Sequence, residues 1–559
     1  MSVTQMKTPG VYIQELDAFG NSVVSVPTAI PAFIGYTGQT NYNGKNLVNQ
    51  AVKITSLAEF NAVFGSMPPQ IQFAVNQIPN NATVAKPVTP AVDPSKKKTS
   101  DATKPATVEA TTKKSTATVD FFIGDNGYSL ATSTVNYRLY SSVKFFYENG
   151  GGTCYIVSTG GYDYSMTGLT STDPFTDALT VLEKEAEPTM IVVPDAVELM
   201  DPTETELAKK YALCYSLQGQ LINHCGALTT RVALLDVPGG YSEPLVGTTS
   251  VEAFRNAVEP TLPKFNSYAS AYYPWLHTTV NQLTDISYNN IAPASYNDVK
   301  AMLNAEFPST LDPKTKNTIA NPVKKYINAL FTTKPDVSGI SQEKADSVLK
   351  NLSSSYKLLL KHLLEKLNLM TPSAAMAGIY TTVDNNSGVW VAPANVGVQS
   401  VIAPAIKIDL KAQEDLNMPL DGKSICAIRS FPGRGVLVWG ARTLDGNSND
   451  WRYINVRRTL IYIEQSVKDA ASAYVFAPND ANTWVSVKSM ISNFLLGLWN
   501  QGGLVGPKPT DAFSVTIGLG STMTSDDILN GRMIVAVKVA VSHPAEFIEV
   551  TFQQEMQKA

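Results

Sequence analysis

Three short runs in the middle of the chain are apolar at almost every position: Cys154-Tyr155-Ile156-Val157, Met190-Ile191-Val192-Val193 and Val232-Ala233-Leu234-Leu235. A strand with no polar face has to be covered on both sides, as in a parallel sheet clad by helices. Each run follows a helix-like stretch. The first is entered through Val143-Lys144-Phe145-Phe146 and the glycine turn at Asn149-Gly150-Gly151-Gly152, and the other two end in Asp195 and Asp236, each with a proline nearby. Alternation of this kind predicts an α/β layer in the centre of the chain. At 559 residues the chain has room for three or four folding units.

Around that layer the patterning changes. Near the amino terminus, Val11 and Ile13 share one face of an extended segment while Tyr12 and Gln14 share the other, and Pro9-Gly10 in front prevents a helical start. Near the carboxyl terminus Ile548, Val550 and Phe552 alternate with Glu549, Thr551 and Gln553, so both ends read as strands. Residues 81–119 are mainly Thr, Ala, Lys, Pro and Val, a composition expected of an exposed insertion. The stretch 281–371 is polar and helix-prone. It closes on an amphipathic helix whose Tyr356, Leu359, Leu360, Leu363, Leu364 and Leu367 form one face, read as core packing. A second helix is expected from an N-cap at Asn482, with Trp484, Val487, Ile491, Phe494, Leu495 and Leu498 in a stripe and Gly502-Gly503 as its stop. Strands are expected at 512–517 and 533–541.

Charge and composition narrow the function. With 44 Lys+Arg against 48 Asp+Glu there is no cationic excess to neutralise a phosphate backbone, so nucleic-acid binding is disfavoured. No apolar run reaches membrane-spanning length and no secretory signal opens the chain, which predicts synthesis in the cytosol without membrane insertion. Cys154, Cys214, Cys225 and Cys426 form no Cys-x-x-Cys pair and are expected to be reduced and buried. His224-Cys225 supplies two soft ligands where zinc needs three or four. No metal and no cofactor are expected.

Catalytic motifs are weak. Gly422-Lys423-Ser424 has the end of a phosphate loop without its upstream glycine, and is expected to be a turn. The Asp445 to Asp450 run lacks the alternating ligands and distal Glu of a calcium loop. Asp195 and Asp236, at strand ends where α/β enzymes place acids, leave one alternative open: a soluble α/β enzyme using them as acid and base.

A series of islands in order along the chain resembles the tail-sheath family of contractile phage tails and related injection systems. They are Thr8-Pro9-Gly10-Val11-Tyr12, Phe145-Phe146 with Asn149-Gly150-Gly151, Asp236-Val237-Pro238, Ala271-Tyr272-Tyr273-Pro274-Trp275-Leu276, and Ala377-Gly378-Ile379-Tyr380. Then follow Gly388-Val389-Trp390, Ala392-Pro393-Ala394-Asn395, Phe431-Pro432-Gly433-Arg434-Gly435, Trp439-Gly440-Ala441-Arg442, Asn455-Val456-Arg457-Arg458, Pro478-Asn479 and Pro544-Ala545-Glu546-Phe547-Ile548. Ser387 and Ala477 depart from the pattern, standing where the family often has Arg and Glu.

The resemblance implies a non-enzymatic structural protein of α+β class: a multi-domain subunit with extended strand arms at both ends. The arms would be 1–28 and 546–559, an outer region 29–371 (with 240–370 as variable decoration), and an inner C-terminal α/β domain 372–545. It implies a six-start helical homopolymer around an inner tube protein, with baseplate, terminal cap and other sheath paralogues as partners. Assembly would be cytoplasmic, for a virion tail or an extracellular phage tail-like particle. Val11, Tyr12, Ile13, Glu15, Ile548, Val550 and Phe552 would then lie in arms that complete sheets in neighbouring subunits. Trp390, Asn395, Arg434, Trp439, Arg442, Arg457, Arg458 and Asn479 are the core or interface candidates. The four arginines fit ion pairs between subunits or within one.

Overall fold

The computed structural model describes residues 23–66, 71–78, 119–243, 247–311, 318–319, 321–332 and 339–549. The apolar runs form the middle of an eight-stranded mixed sheet. Its order is Gly435–Trp439, Cys426–Phe431, Ala269–Tyr273, Val232–Asp236, Met190–Val192, Pro31–Thr37, Cys154–Gly161 and Ala51–Ile54. The six inner strands pair in parallel and the two edge strands pair antiparallel. Every residue of Met190–Val192 and Val232–Asp236 is buried, as two-sided apolarity requires.

The edge strand Gly435–Trp439 is covered by the loop before it: Asn395 N donates to Val438 O, Val398 N to Val436 O, and Val438 N to Val396 O. An open edge is thereby closed. The sheet takes strands from both sides of residue 372, because Cys426–Phe431 pairs with Ala269–Tyr273.

Helix Ser373–Ser387 crosses helix Leu139–Glu148 on one face of this sheet. A Cβ on Gly378 would sit 2.6 Å from Phe146 O and 3.0 Å from Asn149 O, so only glycine permits the approach. Two of the sequence islands are explained by this one contact.

A second core joins segments far apart in the chain. Strands Phe73–Ile78, Phe121–Ile123 and Asn126–Thr132 form a three-stranded sheet. It packs with helices Tyr296–Glu306, Lys324–Leu330, Gln342–Leu352 and Ser354–Leu367. The expected stripe on the last helix is buried at Tyr356, Leu359, Leu360, Leu363 and Leu367, and Leu364 is half-buried.

A third core joins helices Ile454–Ser472 and Ala481–Asn500 to a two-stranded hairpin, Phe513–Ile517 with Val535–Val539. The N-cap of the second helix is Asp480, two residues before the expected Asn482. Its side chain accepts from Thr483 N at 3.0 Å, its backbone is extended, and its carboxylate suits the positive end of the helix.

Candidate functional site

The described part of the chain begins against the third core. Val23 packs on it, Tyr462 Oη hydrogen-bonds Ser25 Oγ at 2.9 Å, and Val26 N donates to Ser466 Oγ at 3.3 Å. Thr28 O then accepts from Arg458 Nη2 at 2.9 Å and from Thr189 Oγ1 at 2.8 Å. The amino-terminal segment is thus rooted in a seam between the Ile454–Ser472 helix and the central sheet. A small cleft of about 160 Å³ lies there, bounded in part by Pro27, Glu187, Arg458 and Tyr462. Val11, Tyr12, Ile13 and Glu15 lie outside the described residues.

At the other end, Ser542 O accepts from Asn455 Nδ2 at 3.2 Å. Glu546 then receives Arg442 Nη2 at 2.6 Å and Nε at 3.1 Å, Tyr453 Oη at 2.9 Å and Asn417 Nδ2 at 2.7 Å. Burial opposes its charge, but these hydrogen bonds and the Arg442 charge outweigh that and hold its carboxyl below the usual range. Immediately beyond, Phe547 is 71% and Ile548 80% exposed. Val550 and Phe552 lie outside the described residues.

The hairpin packs in the same core as Val23. Phe513, Val515, Ile517, Val535, Val537 and Val539 turn toward the helices, while Ser514, Thr516 and Lys538 face outward. Among the described residues no further strand pairs with it, and only an isolated Leu504–Val541 bridge, with Val505 N donating to Ala540 O, touches the chain just past its end. Two strands alone make a marginal sheet with two open edges.

The candidate arginines all find partners within the chain. Arg458 grips Asp384 through both nitrogens, Nη1–Oδ1 at 2.9 Å and Nη2–Oδ2 at 2.5 Å, with its guanidinium 4.6 Å from the Tyr380 ring. Arg457 lies between the rings of Trp451 and Tyr268, at 3.5 and 4.1 Å, and donates to Ser267 Oγ at 2.7 Å. Arg434 donates to Asn395 Oδ1 and sits near the rings of Phe431 and Trp439. Trp390 O accepts from Asn455 Nδ2, and Asn479 accepts from Trp484 Nε1 at 2.7 Å.

The sequence reading missed Asp384 and did not single out Glu546. A signal existed for the first. Asp384 falls on the same helical face as Ala377 and Tyr380, both buried, and a carboxylate on a buried stripe requires a cation.

Asp195 and Asp236 are buried and already occupied. Asp195 accepts from Tyr36 N at 2.9 Å and Arg138 N at 2.6 Å. Asp236 accepts from Ser373 N at 2.8 Å and Ser373 Oγ at 2.6 Å, capping the Ser373–Ser387 helix. Burial pushes each carboxyl up to about 6. Lys423 Nζ is bound to Arg255 O and Val258 O, where it closes the end of helix Ser250–Ala257. All four cysteines are free and buried. Among the described residues, no three acidic, His or Cys side chains group to hold a metal, and no helix is long and apolar enough to cross a membrane.

Comparison with known proteins places this architecture. Residues 447–555, which carry the third core and both root arginine partners Tyr453 and Glu546, match the phage tail sheath C-terminal domain. The sheath of an extracellular contractile injection system (PVC), solved in its contracted state, is 25% identical with a TM-score of 0.53, covering 99% of each chain. The chain is similar to contractile sheath proteins along nearly its whole length, and the sheath model matches its carboxyl-terminal part. The helical sheath of the anti-feeding prophage, also contracted, shares the sheath fold at 22% identity and a TM-score of 0.53, covering 98% of this chain and 100% of that one. The tail sheath protein of Vibrio phage KVP40 is 27% identical over 178 residues, 30% of this chain. The match spans about a quarter of the length of that curated relative, 26%. The matched residues therefore contain the hairpin, Tyr453 and Glu546, while Arg442 and Asn417 precede them.

Proposed function

We propose that this chain is the structural subunit of a contractile sheath, polymerising with copies of itself as a six-start helix around an inner tube and contracting to drive that tube through a target envelope. The observation that carries the reading is the unpaired hairpin beside two rooted chain ends. Residues 1–28 and 546–559 act as arms that add strands to the hairpin edges of neighbouring subunits, with Val11, Tyr12, Ile13, Glu15, Ile548, Val550 and Phe552 in the donated segments. A five-residue strand supplies roughly four to six backbone hydrogen bonds at about 1 kcal/mol net each, enough to keep subunits linked while their bodies turn. Roots at Thr28 and Glu546 agree with those arm limits.

Residues 372–545 form the inner part, facing the tube, and 29–371 the outer part, with 81–119 and 240–370 as decoration. The inner part shares the eight-stranded sheet with the outer one, so the two turn together. The baseplate, a terminal cap and other sheath paralogues are the remaining partners, and assembly is cytoplasmic, into a virion tail or an extracellular phage tail-like particle. The saturated contacts of Asp195 and Asp236 speak for structural roles and against acid–base chemistry.

Negative-stain electron microscopy of the concentrated chain tests this. Hollow ridged tubes, lost on deletion of residues 1–22, are the expected result. Uniform small particles at every concentration, unchanged by the deletion, would overturn the arm mechanism and reopen the enzyme reading.

A further inference from the structure

The carboxyl-terminal root is held far more firmly than an exposed tail needs. Glu546 takes four hydrogen bonds from three side chains that come from separate parts of the chain. Two of the four come from one guanidinium, and a two-point contact sets direction as well as distance. Arg442 cannot follow a moving partner. It is 1% exposed, and its Nη1 donates to Gly446 O at 3.1 Å. Tyr453 stands immediately before the Ile454–Ser472 helix, whose Arg458 holds the other root at Thr28. One rigid block of the subunit therefore grips both chain ends. The change from gripped to free is abrupt: Glu546 is followed at once by two large apolar side chains lying in solvent.

We propose that Glu546 is a latch that sets where the carboxyl-terminal arm leaves the subunit, so that the arm pivots only from Phe547 outward. The inference rests on the sheath reading above and adds a positioning residue to it. Without the latch, the slack between Ser542 and Phe547 lengthens the arm and lets its strand reach the neighbouring hairpin from many directions. With it, every subunit presents the strand from one point, and the rotation of the bodies in contraction is passed to the neighbour rather than absorbed in loose chain.

The test uses the full-length chain carrying Glu546→Gln, which keeps the shape and removes the charge, and Arg442→Lys, which keeps the charge and removes the two-point grip. Spin labels at Glu549→Cys and at Ser486→Cys, on the rigid Ala481–Asn500 helix, report the exit point in the monomer. The expected result is a distance distribution at least twice as broad in either variant as in the latched parent chain, with the melting temperature of the body within a few degrees. Cryo-electron microscopy of assembled tubes should show at least tenfold fewer tubes or an altered twist and rise. An unchanged distance distribution overturns the latch. So do tubes with unaltered yield, twist and rise. If the parent chain forms no tubes, the sheath reading fails while the label distances still decide the latch.

Discussion

Arg458 and Asp384 form a two-point ion pair in which both side chains are almost wholly buried, 3% and 2% exposed, joining the Ile454–Ser472 helix to the Ser373–Ser387 helix. The same guanidinium also holds Thr28 O. One cation thus ties the third core, the central sheet and the amino-terminal root together.

Removing one partner leaves the other charge buried and unpaired. Asp384→Ala and Arg458→Met should each destabilise the fold by about 3–5 kcal/mol, measured by denaturant titration of near-ultraviolet circular dichroism. The double variant Arg458→Met/Asp384→Leu should cost clearly less than the sum, since it strands no charge. Additive losses would show that the two residues act separately.

Gly378 is the point where two helices touch. Gly378→Ala forces the Ser373–Ser387 helix away from Phe146 O and should cost about 1–3 kcal/mol despite the higher helix propensity of alanine. A thermal melt at or above the parent value would refute the close contact.

The hairpin should tolerate change on its outer face and not on its inner face. Val515→Asp places an unpaired carboxylate against the Ala481–Asn500 helix and should cost more than about 3 kcal/mol. Thr516→Lys, on the exposed face, should change stability by less than about 0.5 kcal/mol. Equal losses at the two positions would contradict the inward and outward assignment.

Stability should fall as pH rises from 5 to 6. Burial raises Asp195 and Asp236 to about 6, above the ordinary value near 4, so in this window the folded state holds more protons than the unfolded one. Each carboxyl then contributes a slope of up to about 1.4 kcal/mol per pH unit, lost as pH rises and complete above the folded value. Burial lowers His224 to about 4, which acts with the opposite sign over the same range and offsets one of the two. The net expectation is a higher melting temperature at pH 5 than at pH 6.5, reduced in Asp195→Asn and Asp236→Asn. A parent whose melting temperature rises over that interval would contradict it.

Local chemistry was legible in the sequence. Runs apolar on both faces announced the inner strands of a parallel sheet, and the stripes from Tyr356 and Trp484 announced two helices that bury those faces, because periodicity is a property of neighbours along the chain. Residues of the islands take part in these contacts: Gly378 and Asn149 lie at a helix crossing, Arg442 binds Glu546 and Arg458 binds Thr28 O.

What stayed hidden was partnership at a distance. No pattern near Cys426 indicates that it pairs with Tyr272, about 150 residues earlier, or that the 395–398 loop closes the last edge. An N-cap could be placed at Asn482 rather than Asp480, since both residue types cap and only the backbone angle decides. The sequence by itself determined the inner strands of the sheet and the two striped helices, and that buried charges would need partners. Only the tertiary structure decided that Arg458 answers Asp384 and Arg442 answers Glu546, because an ion pair depends on which atoms the completed packing brings within about 3 Å, and that is settled by all the cores at once.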